Sequence, residues 1–199
     1  MDKFPSYLAV LVGIIMVARA FYLIRKRAIT PVFSTWLMFA VAASMSLASY
    51  LFSKNPNFMD NILNLIDVVA LWTMVFALFV YNGGIAQLKF KRFEIYCLGG
   101  SGLITLFWIL SRDSEATNLA VQVLLAIGYF PTIKKLWKAS IQTESFFVWG
   151  AGFLLSVSSL YLPLHRGNSL AIIYAVRAAS MSGFVLFLMW RIQMRVKKA

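Results

Sequence analysis

Leu23-Ile24-Arg25 followed by Phe33 and Trp36, and Leu136-Trp137-Lys138 followed by Phe146 and Trp149, are two copies of one pattern, offset by 113 residues (Trp36 to Trp149). The match runs back to Leu11-Val12-Gly13 against Leu124-Leu125-Ala126 and forward to Ser46-Leu47 against Ser159-Leu160 without a gap. A fixed offset sustained over about two helices reads as an internal repeat.

The surroundings of the repeat set its solvent. The chain of 199 residues is 61% hydrophobic and 13% charged, with a mean hydropathy of +0.78. Such a balance belongs in a bilayer rather than in water. A spanning helix needs about 20 mostly apolar residues. The runs that qualify are Phe4–Ile24, Pro31–Phe52, Asn61–Tyr81, Glu94–Leu110, Thr117–Trp137, Ser145–Leu162 and Ser169–Trp190. Backbone polar groups inside hydrocarbon must be satisfied within each segment, so the runs are expected to be helices.

Seven runs with a repeat offset that pairs the first with the fifth and the second with the sixth predict two three-helix units joined by one extra helix. An odd unit needs that extra crossing if both copies are to point the same way. The expected organisation is 1–82 for the first unit, 83–113 for the linker helix and 114–199 for the second unit. Parallel repeats related by an axis along the membrane normal are one known transporter plan, with the solute held between them at mid-membrane.

Charge placement predicts orientation. Arg25, Lys26 and Arg27 follow the first run, Lys89, Lys91 and Arg92 the third, Lys134, Lys135 and Lys138 the fifth, and Arg191, Arg195, Lys197 and Lys198 the seventh. The other connections carry only Lys3, Lys54, Arg112 and Arg166. Basic connections stay on the cytoplasmic side, so a multi-pass protein of the cell membrane is expected, N-terminus outside and C-terminus inside. Basic loops beside anionic headgroups account for the net charge of +12 without nucleic acid. Val17-Ala18-Arg19-Ala20 imitates a signal-peptidase site, but the cationic cluster behind it resists translocation, and no cleavage is expected.

Helix punctuation agrees with the runs. Thr30-Pro31 is a start signal for the second, Asn57 or Asp60 for the third and Asn168 for the seventh, and Asn82-Gly83-Gly84 is a stop for the third. Gly99, Gly100, Ser101 and Gly102 make the fourth run small and without a repeat mate.

Ionisable groups in hydrocarbon are costly and functional by default. Away from helix ends there are three: Arg19, Asp67 and Arg177. Asp67 and Arg177 fall at similar depths, roughly 10 Å into the outer half at 1.5 Å per residue. The offset maps Asn64 onto Arg177 and Asp67 onto Ser180. Two readings stay open, a solute-binding pair and a structural ion pair; a carboxyl at this depth is also a candidate proton carrier. Tyr174, Arg177 and Ser180 share one helical face, so Tyr174 joins the candidates. Arg19, close to Arg25, reads either as a gate residue or as a side chain snorkelling to the headgroups. Trp36 and Trp149 suit an interfacial belt or packing, and Ser44, Ser46, Ser49, Ser156 and Ser159 suit helix contacts.

Pro131 lacks an amide hydrogen and clashes with the carbonyl of Ile127, so it should kink the fifth helix, with the Thr132 hydroxyl near the freed carbonyl. The kink reads as a hinge or as a tolerated defect.

Gly128-Tyr129-Phe130-Pro131-Thr132-Ile133-Lys134-Lys135-Leu136-Trp137-Lys138, followed by Thr143-Glu144-Ser145 and an apolar run, resembles the PQ-loop signature of the SWEET and PQ-loop superfamily. That superfamily includes sugar transporters, cystinosin-like amino-acid exporters and the KDEL receptor. Thr132 stands where its Gln would be, and Ala18-Arg19 stands in place of Pro-Gln in the first copy. The resemblance implies the seven-helix form with three, one and three helices, and a hinge at Pro131. It further implies polar solute ligands on the third helix of each unit, giving Asn64 or Asp67 and Arg177 or Ser180, and Tyr161 near the site of a solute-stacking aromatic.

An enzyme is not expected. His165 has no neighbouring metal-ligand set, no glycine-rich phosphate loop occurs, and the seventh run has no Lys for a retinal Schiff base. No metal or other cofactor is expected. The expected function is carriage of a polar small molecule, sugar-like or amino-acid-like or carboxylate-like, by alternating access; the runner-up is a non-transporting sorting receptor or assembly factor. The expected partners are a small-molecule solute and the lipid bilayer, with homo-oligomerisation left open.

Overall fold

The computed structural model describes residues 4–29, 33–54, 56–81, 92–141 and 144–196. Thr30-Pro31, Asn82-Gly83-Gly84, Lys89, Lys91, Thr143 and the lysines at 197 and 198 lie outside the described residues. Everything regular among those described is helical: α1 Phe4–Arg25, α2 Phe33–Leu51, α3 Ile62–Tyr81, α4 Arg92–Ser111, α5 Ser114–Gly128, α6 Phe130–Lys138, α7 Phe146–Ser158, α8 Tyr161–Arg166 and α9 Ser169–Val196.

Counting α5 with α6 and α7 with α8 as interrupted single rods, five stretches are long and apolar enough to cross a membrane: Tyr7–Arg25, Ile62–Tyr81, Ser114–Lys138, Phe146–Arg166 and Ser169–Arg195. Trp36–Leu51 and Ile95–Ser111 are shorter apolar helices. The chain is therefore a helical membrane protein. Its outward faces carry Leu11, Ile14, Trp72, Phe76, Leu103, Leu106, Phe184 and Phe187 exposed, as expected where the solvent is lipid.

Two prolines account for the two interruptions. α5 stops at Gly128 and α6 starts at Phe130, with the Tyr129 amide bonding three residues back to the Ala126 carbonyl at 3.2 Å. This is the turn before Pro131, where the missing amide hydrogen leaves the Ile127 carbonyl without its helical donor. α7 stops at Ser158, and Leu160 likewise bonds back three residues to Val157 at 3.2 Å. Pro163 is the cause there, four residues beyond Ser159; this second break was not expected from the sequence. α1 runs unbroken through the mate of the Pro131 position.

Caps fix the helix starts. Asp113 accepts from the Ala116 amide at 3.0 Å, Ser145 from Val148 at 3.4 Å and Asn168 from Ala171 at 3.3 Å. Gly167 at φ 66° closes α8 in the left-handed region that suits glycine. Asp60 does not cap α3, because its carboxylate is committed to other partners. Asn57 bonds the Met59 amide at 3.0 Å in the turn before it.

The packing order is the same at both ends of the chain. α3 packs on α1 and on α2, and α9 packs on α5–α6 and on α7. Between these groups, α2 lies along α5 and α1 along α7, while α3 and α9 touch lightly. α4 leans on α5 and α2 at the periphery. Two glycines allow the closest approaches. A Cβ on Gly13 would sit 2.6 Å from Ile66 Cγ2, and one on Gly128 would sit 2.7 Å from both Met38 Cε and Phe39 Cε1.

Candidate functional site

A cavity of about 740 Å³ lies between the α1–α2–α3 and α5–α9 groups. Its floor is Asp67, Tyr174 and Arg177, and its walls are largely aromatic: Trp36, Phe39, Tyr129 and Trp149. Its mouth carries Lys134, Lys135, Lys138 and Glu144, with Lys135 paired to Glu144 at 2.9 Å. Tyr129 is held by both seams, edge-on to Phe39 at 5.2 Å and tilted on Trp149 at 5.9 Å. Trp36 and Trp149 thus line the cavity in addition to packing.

Asp67 and Arg177 are not ion-paired. Tyr174 stands between them, its hydroxyl donating to Asp67 Oδ2 at 2.8 Å and its ring face 4.6 Å from the Arg177 guanidinium carbon. From Arg177 a buried path leads around to Asp67. Arg177 Nε donates to Gln122 Oε1 at 3.0 Å, and Gln122 Nε2 donates to Ser46 Oγ at 2.8 Å. The Asn64 carboxamide is oriented with its oxygen toward Ser46 Oγ and the Leu47 amide, both at 3.1 Å, because the reverse would face acceptor to acceptor. Its nitrogen then donates to Tyr174 Oη at 3.2 Å. Every donor in this chain points from the cation toward the anion. Asn118 braces it, donating to the Ser46 carbonyl at 2.9 Å and Ser49 Oγ at 3.1 Å. Ser46, Ser49, Asn64, Asn118 and Gln122 are all buried, so each amide must be satisfied by another protein group.

The end opposite the mouth carries a second polar cluster. Asp60, buried ahead of α3, accepts from Arg166 Nη1 at 2.8 Å and from Asn168 Nδ2 at 3.3 Å. Asn168 Nδ2 also donates to the Tyr50 hydroxyl at 2.7 Å, and that hydroxyl donates to the Asn57 carbonyl at 3.0 Å. The cluster ties the α2–α3 connection to the α8–α9 connection.

Of the residues singled out from sequence, Asp67, Tyr174, Arg177 and Thr132 line the cavity. Pro131 lies in the backbone of α6 beside them. Asn64 does not reach the cavity: it is fully buried behind Tyr174 as a link in the hydrogen-bond chain. Ser180 is corrected outright. It is exposed on the ridge of α9 that also carries Ile173, Val176, Phe184 and Phe187, and Ser182 takes the inward position. Tyr161 is corrected too; the break ahead of α8 turns it out, 43% exposed and edge-on to His165 at 4.7 Å. Arg19 is exposed on α1, with its guanidinium 5.5 Å from the Tyr22 ring, away from the cavity.

The reason for the Asn64 and Ser180 displacements is a change of offset. α3 begins at Ile62 and α9 at Ser169, so the third helices differ by 107 residues, not 113. With that offset Asp67, Ala70 and Leu71 fall opposite Tyr174, Arg177 and Ala178, all of which line the cavity. The sequence reading missed Gln122 and Asn118, and took Ser46 only as a helix contact. Asn118 and Gln122 stand four apart on one face of an apolar run, which is a legible signal for a shared partner.

No family model, curated protein or solved structure matches the chain.

Proposed function

We propose that the protein is a membrane carrier for a polar small solute, working by alternating access between two three-helix units, α1–α3 and α5–α9, with α4 as connector. The observation that carries this is a cavity between the two groups, open at one end, with the other end latched by Asp60, Arg166, Asn168 and Tyr50. Matching packing within the two groups supports the parallel-repeat reading, and a rocking of one group against the other would exchange the open end for the closed one. The basic residues at the mouth support an inward-facing form, with the mouth in the cytoplasm and the latch outside. Thr132 lines the cavity next to the Pro131 break, and the two serve as its hinge. The pair Asp67 and Arg177 contacts the solute, and we read the chain as a carrier rather than an enzyme.

Purified protein in proteoliposomes tests this. Uptake of a bound solute that Arg177→Ala abolishes supports the carrier; tight binding with no flux in either direction overturns it in favour of a sorting receptor.

A further inference from the structure

The cavity holds two opposite charges that do not pair with each other. Tyr174 occupies one oxygen of Asp67, and Gln122 occupies only the Nε edge of Arg177. Tyr129 is a further hydrogen-bond partner of Arg177, and Asp67 and Arg177 both line the cavity. Both charges lie within the span of a single tyrosine. A plain anion drawn to Arg177 meets the Asp67 carboxylate, and a plain cation drawn to Asp67 meets the guanidinium. A neutral polyol brings neither charge a counter-ion in direct contact. A molecule bearing both signs a few bonds apart satisfies both. The remaining walls are broad apolar rings, Trp149, Phe39 and Trp36, and the space suits a ligand body of ring size.

From this we infer that the site takes a small zwitterion with an aromatic body, its anionic group on Arg177, its cationic group on Asp67 and its ring against the wall that Trp36 and Trp149 form. The inference rests on the carrier reading only for what happens after binding. Specificity then comes from penalising the one-charge analogue, which buries an unpaired group.

Equilibrium binding of tritiated L-tryptophan to the full chain in lipid nanodiscs tests it, with tryptamine, indole-3-propionate and D-glucose as competitors. Tryptophan is expected to bind, with either one-charge analogue about 10- to 100-fold weaker, as the loss of one charge-assisted contact requires, and glucose without effect. Asp67→Asn is expected to lose discrimination against indole-3-propionate alone, and Arg177→Gln against tryptamine alone. Absence of tryptophan binding, competition by glucose, or an analogue as tight as tryptophan overturns the inference; the competitor series on the unmodified chain gives this answer even where a variant fails to fold. Tryptophan bound but never transported leaves the inference standing and overturns the carrier reading. Glucose flux indifferent to tryptophan does the reverse.

Discussion

Gln122 shows what a single side chain does at this site. It accepts from Arg177 and donates to Ser46, so Gln122→Leu strips the cation of its acceptor and leaves the Ser46 hydroxyl one donor short. A hydrogen bond to a charged group contributes about 1.5–3 kcal/mol. We expect a loss of stability of that order in thermal unfolding, and solute binding weaker by at least about 10-fold. Tyr174→Phe is the milder case, because the ring remains beneath Arg177 while the hydroxyl that donates to Asp67 and accepts from Asn64 is lost. Binding is expected to fall less than with Arg177→Ala, and equal losses would argue against separate roles for ring and hydroxyl. Asp67 and Arg177 were legible in the sequence because a charge inside an apolar run has no bland solvent to escape into. Tyr161 was misread because the break ahead of α8 turns it outward, and Ser180 was misread for a different geometric reason. A helix advances about 100° per residue, so the shift from an offset of 113 to one of 107 (Ile62 to Ser169) turns a wet position into a lipid-facing one. The repeat reports which residues correspond, and a shortened connection changes the answer without changing the composition.

Helices and their breaks carry the next set of consequences. Helices were readable because long apolar runs have few alternatives, and α1, α3 and α9 begin within a residue of their expected starts; of the seven expected spans, five are long and apolar enough to cross a membrane. The Pro131 interruption was readable from proline chemistry alone. The interruption ahead of α8 follows from the same chemistry at Pro163, but there the apolar run continues past the break and hides it. Pro131→Ala restores an amide donor for the Ile127 carbonyl and should join α5 to α6. Proline costs about 3 kcal/mol in a helix interior relative to alanine, so the variant is expected to melt at a higher temperature while transporting more slowly. A variant as fast as the parent would remove the hinge from the mechanism. The α2–α5 seam gives a steric test. Gly128→Val meets Met38 and Phe39 and should destabilise by about 1–3 kcal/mol, as overpacking does. Gly102→Val has nothing within 4 Å of its Cβ and should leave the melting temperature almost unmoved.

Across the whole molecule, one end is open and the other latched, and the latch is the part that a rocking motion must break. Arg166 is half-exposed while Asp60 is buried, so Arg166→Gln removes a charge-assisted contact from a carboxylate that keeps only Asn168. The outer end should then open more often. With Cys97 replaced by Ala and Ser156→Cys placed in the cavity wall, a membrane-impermeant thiol reagent applied from the latched side should label at least about 10-fold faster in the Arg166→Gln background, the factor that about 1.5 kcal/mol supplies. Unchanged labelling would mean that the cluster is not what shuts that end.

One feature of the interior reaches further than any of its members. Because each donor from Arg177 to Asp67 faces the same way, the six side chains add up to a standing dipole laid across the boundary between the helix groups. No amide in that circuit can turn over alone without setting like against like on either side. A guest that supplies the wrong sign at one pole is therefore opposed by the entire circuit, and rejection is distributed over α2, α3, α5 and α9 at once.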